Sequence, residues 1–380
     1  MPNPLRVGLV GTGRIARGHM AAYLEYSDRV QLTAVCDIIE SGARQYANQA
    51  GVDDVYTDFD EMLRSAQIDA VDICTSHDQH SPQAIAAASA GKNVLVEKAM
   101  AHTLQACRDM VKAADKAGVI LMVAQNLRYL PESVSVKRLI DDGKMGEIQA
   151  VRTHQIMNAT RANPMGHWMN DKQAGGGILM TNTIHHVDLL RYYIGNVRRV
   201  TGFWKSVQPE MVNEAEDLVA ATLEFENGAI GDVFGNWTTS LVPESMSYMV
   251  FGSNGTLHST PPSARTLSQF GDIMVSLKSA EREEARRLAM DELQRSIRSG
   301  TKISRDLQNR LRPVFEPVVT RDGDLPTNNS IINEILHFED CCRTGTEPIT
   351  SGHDNIETMK MITGIYESSR TGKVVELATL

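Results

Sequence analysis

Residues 5–16 read Leu5-Arg6-Val7-Gly8-Leu9-Val10-Gly11-Thr12-Gly13-Arg14-Ile15-Ala16. An apolar, β-branched run breaks into a glycine turn and then into a helical pattern that continues to about Ser27. Strand, tight turn and helix in that order form a cradle for a pyrophosphate. Gly11 permits the sharp turn, Gly13 lets the backbone approach the phosphates, and Ala16 lets the helix pack close to the strand. A second strand, Val30 to Cys36, ends in Asp37, 21 residues after Ala16. An acid at that place accepts hydrogen bonds from ribose hydroxyls and repels a 2′-phosphate, and Ile38 and Ile39 supply no base for one. The expected cofactor is NAD, with NADP less favoured, held by Gly11, Thr12, Gly13, Arg14, Ile15 and Asp37.

The alternation of strand and helix continues through residue 124. Strands are expected at Ala70 to Thr75, Asn93 to Glu97 and Ile120 to Ala124, with helices at Pro82 to Ala90 and Thr103 to Ala117. That order predicts an α/β fold, a doubly wound parallel sheet of the Rossmann type. Ligands of such sheets lie beyond the carboxyl ends of the strands. Thr75, His80, Glu97, Lys98 and Asn126 are therefore further candidate cofactor contacts. Lys98 follows a nearly continuous apolar strand and would point at the nicotinamide end; the bland reading is a Glu97–Lys98 surface pair. His80 either lines the cofactor site or caps a helix, and Arg128 either touches substrate or forms an interdomain ion pair.

With 380 residues, the chain is longer than the roughly 100–200 of one domain. Beyond residue 129 the pattern becomes strands joined by turns, with hairpin signals at Asn227-Gly228 and Asn254-Gly255. The division expected is 1–128 for the cofactor and 129–380 for a substrate-binding and oligomerisation domain. This second domain should be α+β with an open mixed, largely antiparallel sheet. Gly175-Gly176-Gly177 leads into a helix from Ile178 to Ile194, on which Thr181, His185, Asp188 and Tyr192 share one face. Such a polar stripe is ordinarily a solvated face. His167 and Trp168 precede the glycines on a loop, Trp168 as its anchor or as a substrate contact. Residues 278–314 mix arginines with acids around an apolar stripe, which predicts a surface helix pair, with a lid or subunit contact as the alternatives.

Apolar residues make up 42% of the chain and charged residues 22%, enough for a packed core. Thirty-eight basic against 47 acidic residues give a net charge of −9. That balance argues against nucleic acid or anionic membrane as partner and for a small-molecule substrate. With no apolar run of about 18 residues and no signal-like start, a cytoplasmic protein is expected. Five scattered cysteines indicate neither disulfides nor zinc, and no clustered histidine–carboxylate pattern supplies a metal site.

The glycine turn at 11–16, Val94-Leu95-Val96-Glu97-Lys98, the triple glycine followed by His185 and Asp188, and the closing Arg343-Thr344-Gly345 to Ser351-Gly352-His353-Asp354 together resemble the Gfo/Idh/MocA oxidoreductases. The resemblance spans the chain apart from about residues 261–325. It implies hydride transfer between NAD(P) and a secondary alcohol of a sugar, polyol or related cyclic hydroxy compound, in a homodimer or homotetramer. It also makes Lys98 and His185 catalytic. Two positions depart from the family pattern: Ala99 stands where a proline follows the lysine, and Thr181 where an acid is common.

The chemistry needs a base near the hydroxyl proton and a cation near the developing alkoxide, the roles of His185 and Lys98. Substrate contacts are expected from Lys98, Arg128, His167, Trp168, Thr181, Asn182 and His185. The loss of the carboxylate at 181 keeps a non-catalytic NAD-binding regulator open as an alternative, and a redox-neutral enzyme with tightly held NAD is a further one.

Overall fold

The computed structural model describes residues 3–157, 167–238, 245–259, 273–320 and 323–380. Six strands make the first sheet: β1 (Leu5–Val10), β2 (Val30–Cys36), β3 (Val55–Tyr56), β4 (Ala70–Ile73), β5 (Asn93–Glu97) and β6 (Leu121–Ala124). Their order is β3-β2-β1-β4-β5-β6, and every pairing is parallel. The strands are apolar runs because helices cover both faces, leaving β4 and most of β5 buried. The order reverses between β1 and β4, and the crevice at that switch point is where the glycine turn lies.

The second sheet contains β7 (Ile148–Ile156), β8 (Val197–Lys205), β9 (Leu218–Phe225), β10 (Ile230–Asn236), β11 (Ser245–Gly252), β12 (Gly255–Ser259), β13 (Ile273–Leu277), β14 (Glu316–Pro317) and β15 (Val375–Glu376). Its order is β14-β13-β12-β11-β7-β10-β9-β8-β15, antiparallel except where β7 and β10 run together. Both expected hairpin turns are present, and Gly228 takes a φ of +86°, which only glycine adopts freely. Burial alternates along β9 and β10, so one face packs on helices and the other is open.

The end of the chain returns to the first sheet. Ile332, Ile335, Leu336 and Phe338, on the helix Ser330–Thr344, join Met20 and Tyr23 in the first core. Val123 of β6 donates its N–H to the Thr350 carbonyl at 2.8 Å.

Two local expectations are corrected. The helix assigned to 82–90 runs from His77 to Ser89, so Pro82 lies inside it and β4 ends at Ile73 rather than Thr75. The segment assigned as one helix from 178 divides into a π-helical turn, Leu179–Thr183, and the α-helix Ile184–Ile194. The charged segment does form a helix pair, Ala280–Ser299 and Arg305–Leu311, with Gly300 at a φ of +65° between them. Ala289 and Leu307 are the positions it buries, and Arg310 bridges the helices to Glu292 at 2.6 Å.

Candidate active site

Each half of the glycine turn has its own requirement. Gly11 has a φ of +85°, and a Cβ there would lie 2.7 Å from the Cys74 carbonyl oxygen, so the turn closes against the end of β4 only with glycine. A Cβ on Gly13 would meet nothing within 4 Å, which leaves the backbone approachable from outside. The helix that follows begins with no side-chain cap, so no capping side chain takes up its first N–H groups. Asp37 braces the turn: its Oδ2 accepts from the Thr12 N–H and hydroxyl, both at 2.7 Å, and its Oδ1 accepts from the Ile39 N–H at 2.8 Å. A carboxylate has about four acceptor positions, so Asp37 retains capacity for a ribose hydroxyl. Ile38 and Ile39 beside it are exposed, apolar and uncharged. A dinucleotide without a 2′-phosphate fits this set.

Lys98 sits where β5 ends. Its Nζ donates to the Thr181 main-chain carbonyl at 2.7 Å, which joins the first domain to the π-helical turn of the second. Irregular helix turns of this kind are frequent at functional sites. Burial lowers the Lys98 pKa, Glu97 opposes that fall and Arg14 adds to it. The Thr181 hydroxyl is not free for a substrate as expected, because it donates to the Gly177 carbonyl at 2.7 Å and the residue is buried. The stripe of Thr181, His185 and Asp188 is no solvated face; it packs against the first domain.

His185 lies one turn further on, half-buried, and its Nδ1 has no hydrogen-bond partner among the described residues. Burial, then Lys98, His186 and His77, hold its pKa well below the ordinary histidine value. The ring is therefore neutral over a wider range of pH than an ordinary histidine.

Arg128 is the interdomain ion pair rather than a substrate contact. It is buried, donates from Nε and Nη2 to Asp188 at 2.7 and 2.6 Å and from Nη1 to the Ile349 carbonyl at 2.9 Å, and pairs with Asp354 at 2.8 Å. Glu97, offered above as a cofactor contact, is turned inward: Oε2 accepts the Lys98 N–H at 3.0 Å, and Oε1 meets His19 Nε2 at 3.1 Å. Asn126 donates to the Ser330 hydroxyl at 3.2 Å, tying the turn after β6 to the returning helix. Thr75 donates to Gln83 at 2.7 Å. His80 is buried inside a helix, its Nδ1 at 2.8 Å from the Ala99 carbonyl, and so supports the turn after Lys98. His167 is a helical cap whose ring stacks with Trp168, its pKa lowered by burial and then by Arg14. Asn182 is half-buried beside Thr181, the two side-chain oxygens 3.3 Å apart.

His77 escaped the sequence reading, which searched its segment but placed it ahead of the helix. Its Nδ1 lies 2.8 Å from the Gly175 carbonyl, and its Nε2 accepts the Ala99 N–H at 3.1 Å. Trp168 meets the ring edge to face, with centroids 4.7 Å apart. One imidazole thus joins the Lys98 turn, the triple glycine and the Trp168 loop. His19 and Asp72 were also missed, although an acid inside the apolar run Ala70-Val71-Asp72-Ile73 signals a buried partner.

Two family descriptions cover the two halves: an oxidoreductase family with an NAD-binding Rossmann fold matches residues 5–125, and the GFO/IDH/MocA C-terminal domain matches residues 134–258. The myo-inositol 2-dehydrogenase of Thermotoga maritima is 30% identical over 254 residues, 66% of this chain and 74% of its own. The chain belongs to the Gfo/Idh/MocA family. As a member of that family it is an NAD-binding oxidoreductase that acts on CH–OH groups. The D-apiose dehydrogenase of Paraburkholderia graminis is 28% identical over 379 residues, 98% of this chain and 89% of its own. Among solved structures, a levoglucosan dehydrogenase in complex with NADH and L-sorbose superposes with a TM-score of 0.82 at 22% identity, over 99% of each chain. That likeness supports the fold of this Gfo/Idh/MocA member.

Proposed function

We propose that this protein oxidises a secondary alcohol of a sugar, polyol or related cyclic hydroxy compound, with Lys98 and His185 as its catalytic residues. The observation that carries the assignment of residues is the Lys98–Thr181 contact, which holds the ammonium at the strand ends next to the helix bearing His185. NAD, when bound, supplies the hydride acceptor.

Gly11, Thr12, Gly13, Arg14, Ile15 and Asp37 would hold the dinucleotide. His185, neutral in its buried setting, takes the hydroxyl proton as the carbonyl forms. Lys98 has two N–H donors left after its bond to Thr181, and these stabilise alkoxide character on the reacting oxygen. In reduction the same proton returns from His185. Thr181 acts through its carbonyl, and Arg128 through the domain junction. His167, Trp168 and Asn182 remain the candidate substrate contacts.

The division of labour follows residues 1–128 and 129–380, with the helix Ser330–Thr344 completing the first core. The open face of the second sheet, with Phe203 and Ile230 exposed on it, supports assembly as a homodimer or homotetramer. Among the described residues no helix is long and apolar enough to cross a membrane. A cytoplasmic place is part of this reading, and the net charge of −9 supports neither nucleic acid nor an anionic membrane as partner. The test is kinetic: NADH formation against a panel of sugars, inositols and sugar acids, repeated with Lys98→Met and His185→Asn. Turnover lost in both variants with NAD still bound supports the assignment, and turnover retained in either removes that residue from it.

A further inference from the structure

Behind Lys98, beneath the sheet, lies a chain of ionisable groups that the proposed reaction leaves unused. His19, in the first helix and with no exposed surface, places Nδ1 2.8 Å from Asp72 Oδ2 and Nε2 3.1 Å from Glu97 Oε1. Tyr23 donates its hydroxyl to the same Asp72 oxygen at 2.6 Å, and the Cys74 thiol lies 3.6 Å from the other. Glu97 then spends its second oxygen on the Lys98 N–H at 3.0 Å.

Two carboxylates in so dry a place need two cations. His19 lies between both acids, and Lys98 is the other cation. From the returning helix, Glu334 faces the cluster fully buried, with neither oxygen partnered among the described residues. Burial and then Glu97 raise its pKa well above the carboxylate range, which favours its neutral form. Burial lowers the pKa of His19, but Asp72 and its hydrogen bond outweigh it and raise it well above the histidine norm. Of the groups that face Lys98 from elsewhere, Arg14 favours its neutral form, His77, His80 and His185 have pKa values lowered by burial first and are held toward their own neutral forms, and the Thr181 carbonyl is uncharged. Glu97 is therefore the one carboxylate among the described residues that acts on Lys98.

Resting on the hydride-transfer reading above, we propose that Asp72, His19 and Glu97 form a relay that sets the charge of Lys98 from behind, in place of a carboxylate at position 181. His19 is a positioning residue: it touches neither cofactor nor substrate and acts by fixing the Glu97 carboxylate beside the Lys98 turn and by the charge it places behind that carboxylate.

The test is a pH titration of the full-length chain labelled with ε-13C-lysine, the Lys98 resonance being assigned with Lys98→Arg. Glu97→Gln keeps an acceptor for the Lys98 N–H and removes the charge, so the Lys98 midpoint falls by about one unit or more. His19→Gln removes a cation behind an intact Glu97, so the midpoint moves the other way, upward. These opposed shifts are what a merely structural role would not produce; midpoints unmoved in both folded variants overturn the proposal. If His19→Gln does not fold, Glu97→Gln still decides, together with the 15N shifts of His19 in the wild-type chain. An imidazolium is expected at about pH 6.5, where an ordinary histidine is half-protonated, since the His19 pKa is raised well above that value, and a neutral ring there contradicts the relay. Failure of the hydride-transfer reading shows itself separately, as no turnover with any alcohol while these shifts persist.

Discussion

Lys98 donates its ammonium to the Thr181 carbonyl at 2.7 Å, so a backbone dipole rather than a side-chain carboxylate anchors the cation of the site. The residue that departs most visibly from the family pattern thus still engages Lys98, through its main chain. An uncharged acceptor balances a buried ammonium less well than a carboxylate, in keeping with the lowered Lys98 pKa.

Replacing Lys98 by alanine removes the donors aimed at the alkoxide. Turnover should fall by about a hundred- to a thousandfold or more. NADH affinity, measured by fluorescence titration, should stay within a few-fold, because the dinucleotide rests on the glycine turn and Asp37.

Thr181→Val keeps the carbonyl and deletes the hydroxyl. Since that hydroxyl gives its one proton to the backbone Gly177 carbonyl, kcat and KM should change by no more than about threefold. Stability should drop by about 1 kcal/mol in denaturant unfolding. A large rise in KM would instead return the hydroxyl to the substrate.

The pH profile of alcohol oxidation follows from two lowered pKa values. His185 must be neutral to accept a proton, and its folded value lies well below the usual 6.5, so the acid limb should fall below that range. Lys98 must be charged, and its value lies below 10.5, so activity should decline on an alkaline limb that begins earlier than for an ordinary lysine. Whatever residual activity His185→Asn retains should lack the acid limb.

The Arg128–Asp188 pair lies between the two sheets with about 3% or less of either residue exposed. Asp188→Asn leaves a buried guanidinium short of a charge and should cost about 3–5 kcal/mol. Thermal melting of the single variant, set against Arg128→Met/Asp188→Leu, checks this: the double variant should recover much of the loss.

Asp37→Ser removes the acid facing the ribose and also the brace on Thr12. NAD affinity should fall, and the preference for NAD over NADP, read as a ratio of kcat/KM values, should shrink at least about tenfold.

Much of the first sheet was legible because local signals and tertiary structure agree there: apolar strands, glycine breaks, and Asp37 at a strand end. The hairpins at Gly228 and Gly255 and the helix stop at Gly300 were equally plain. What hid was set by long-range pairing. Arg128 reads alike as a ligand contact or an ion pair until Asp188 and Asp354, 60 and 226 residues away, are brought to it. Glu97 ends a strand and so reads as a cofactor contact or a surface partner of Lys98, and only His19 in another element shows it turned inward. His77 was lost because Pro82 read as a helix start. The π-helical turn at Leu179–Thr183 has no periodic signature, and it is what the Lys98 contact depends on.

The most direct test of the central claim is NADH formation by the purified protein over a panel of sugars, inositols, sugar acids and cyclic diols, with Lys98→Met run beside it. The account predicts that at least one secondary alcohol reduces NAD and that Lys98→Met binds NAD but does not turn over. Turnover by Lys98→Met at the wild-type rate, or no reduction with any alcohol while NAD is bound, would contradict it.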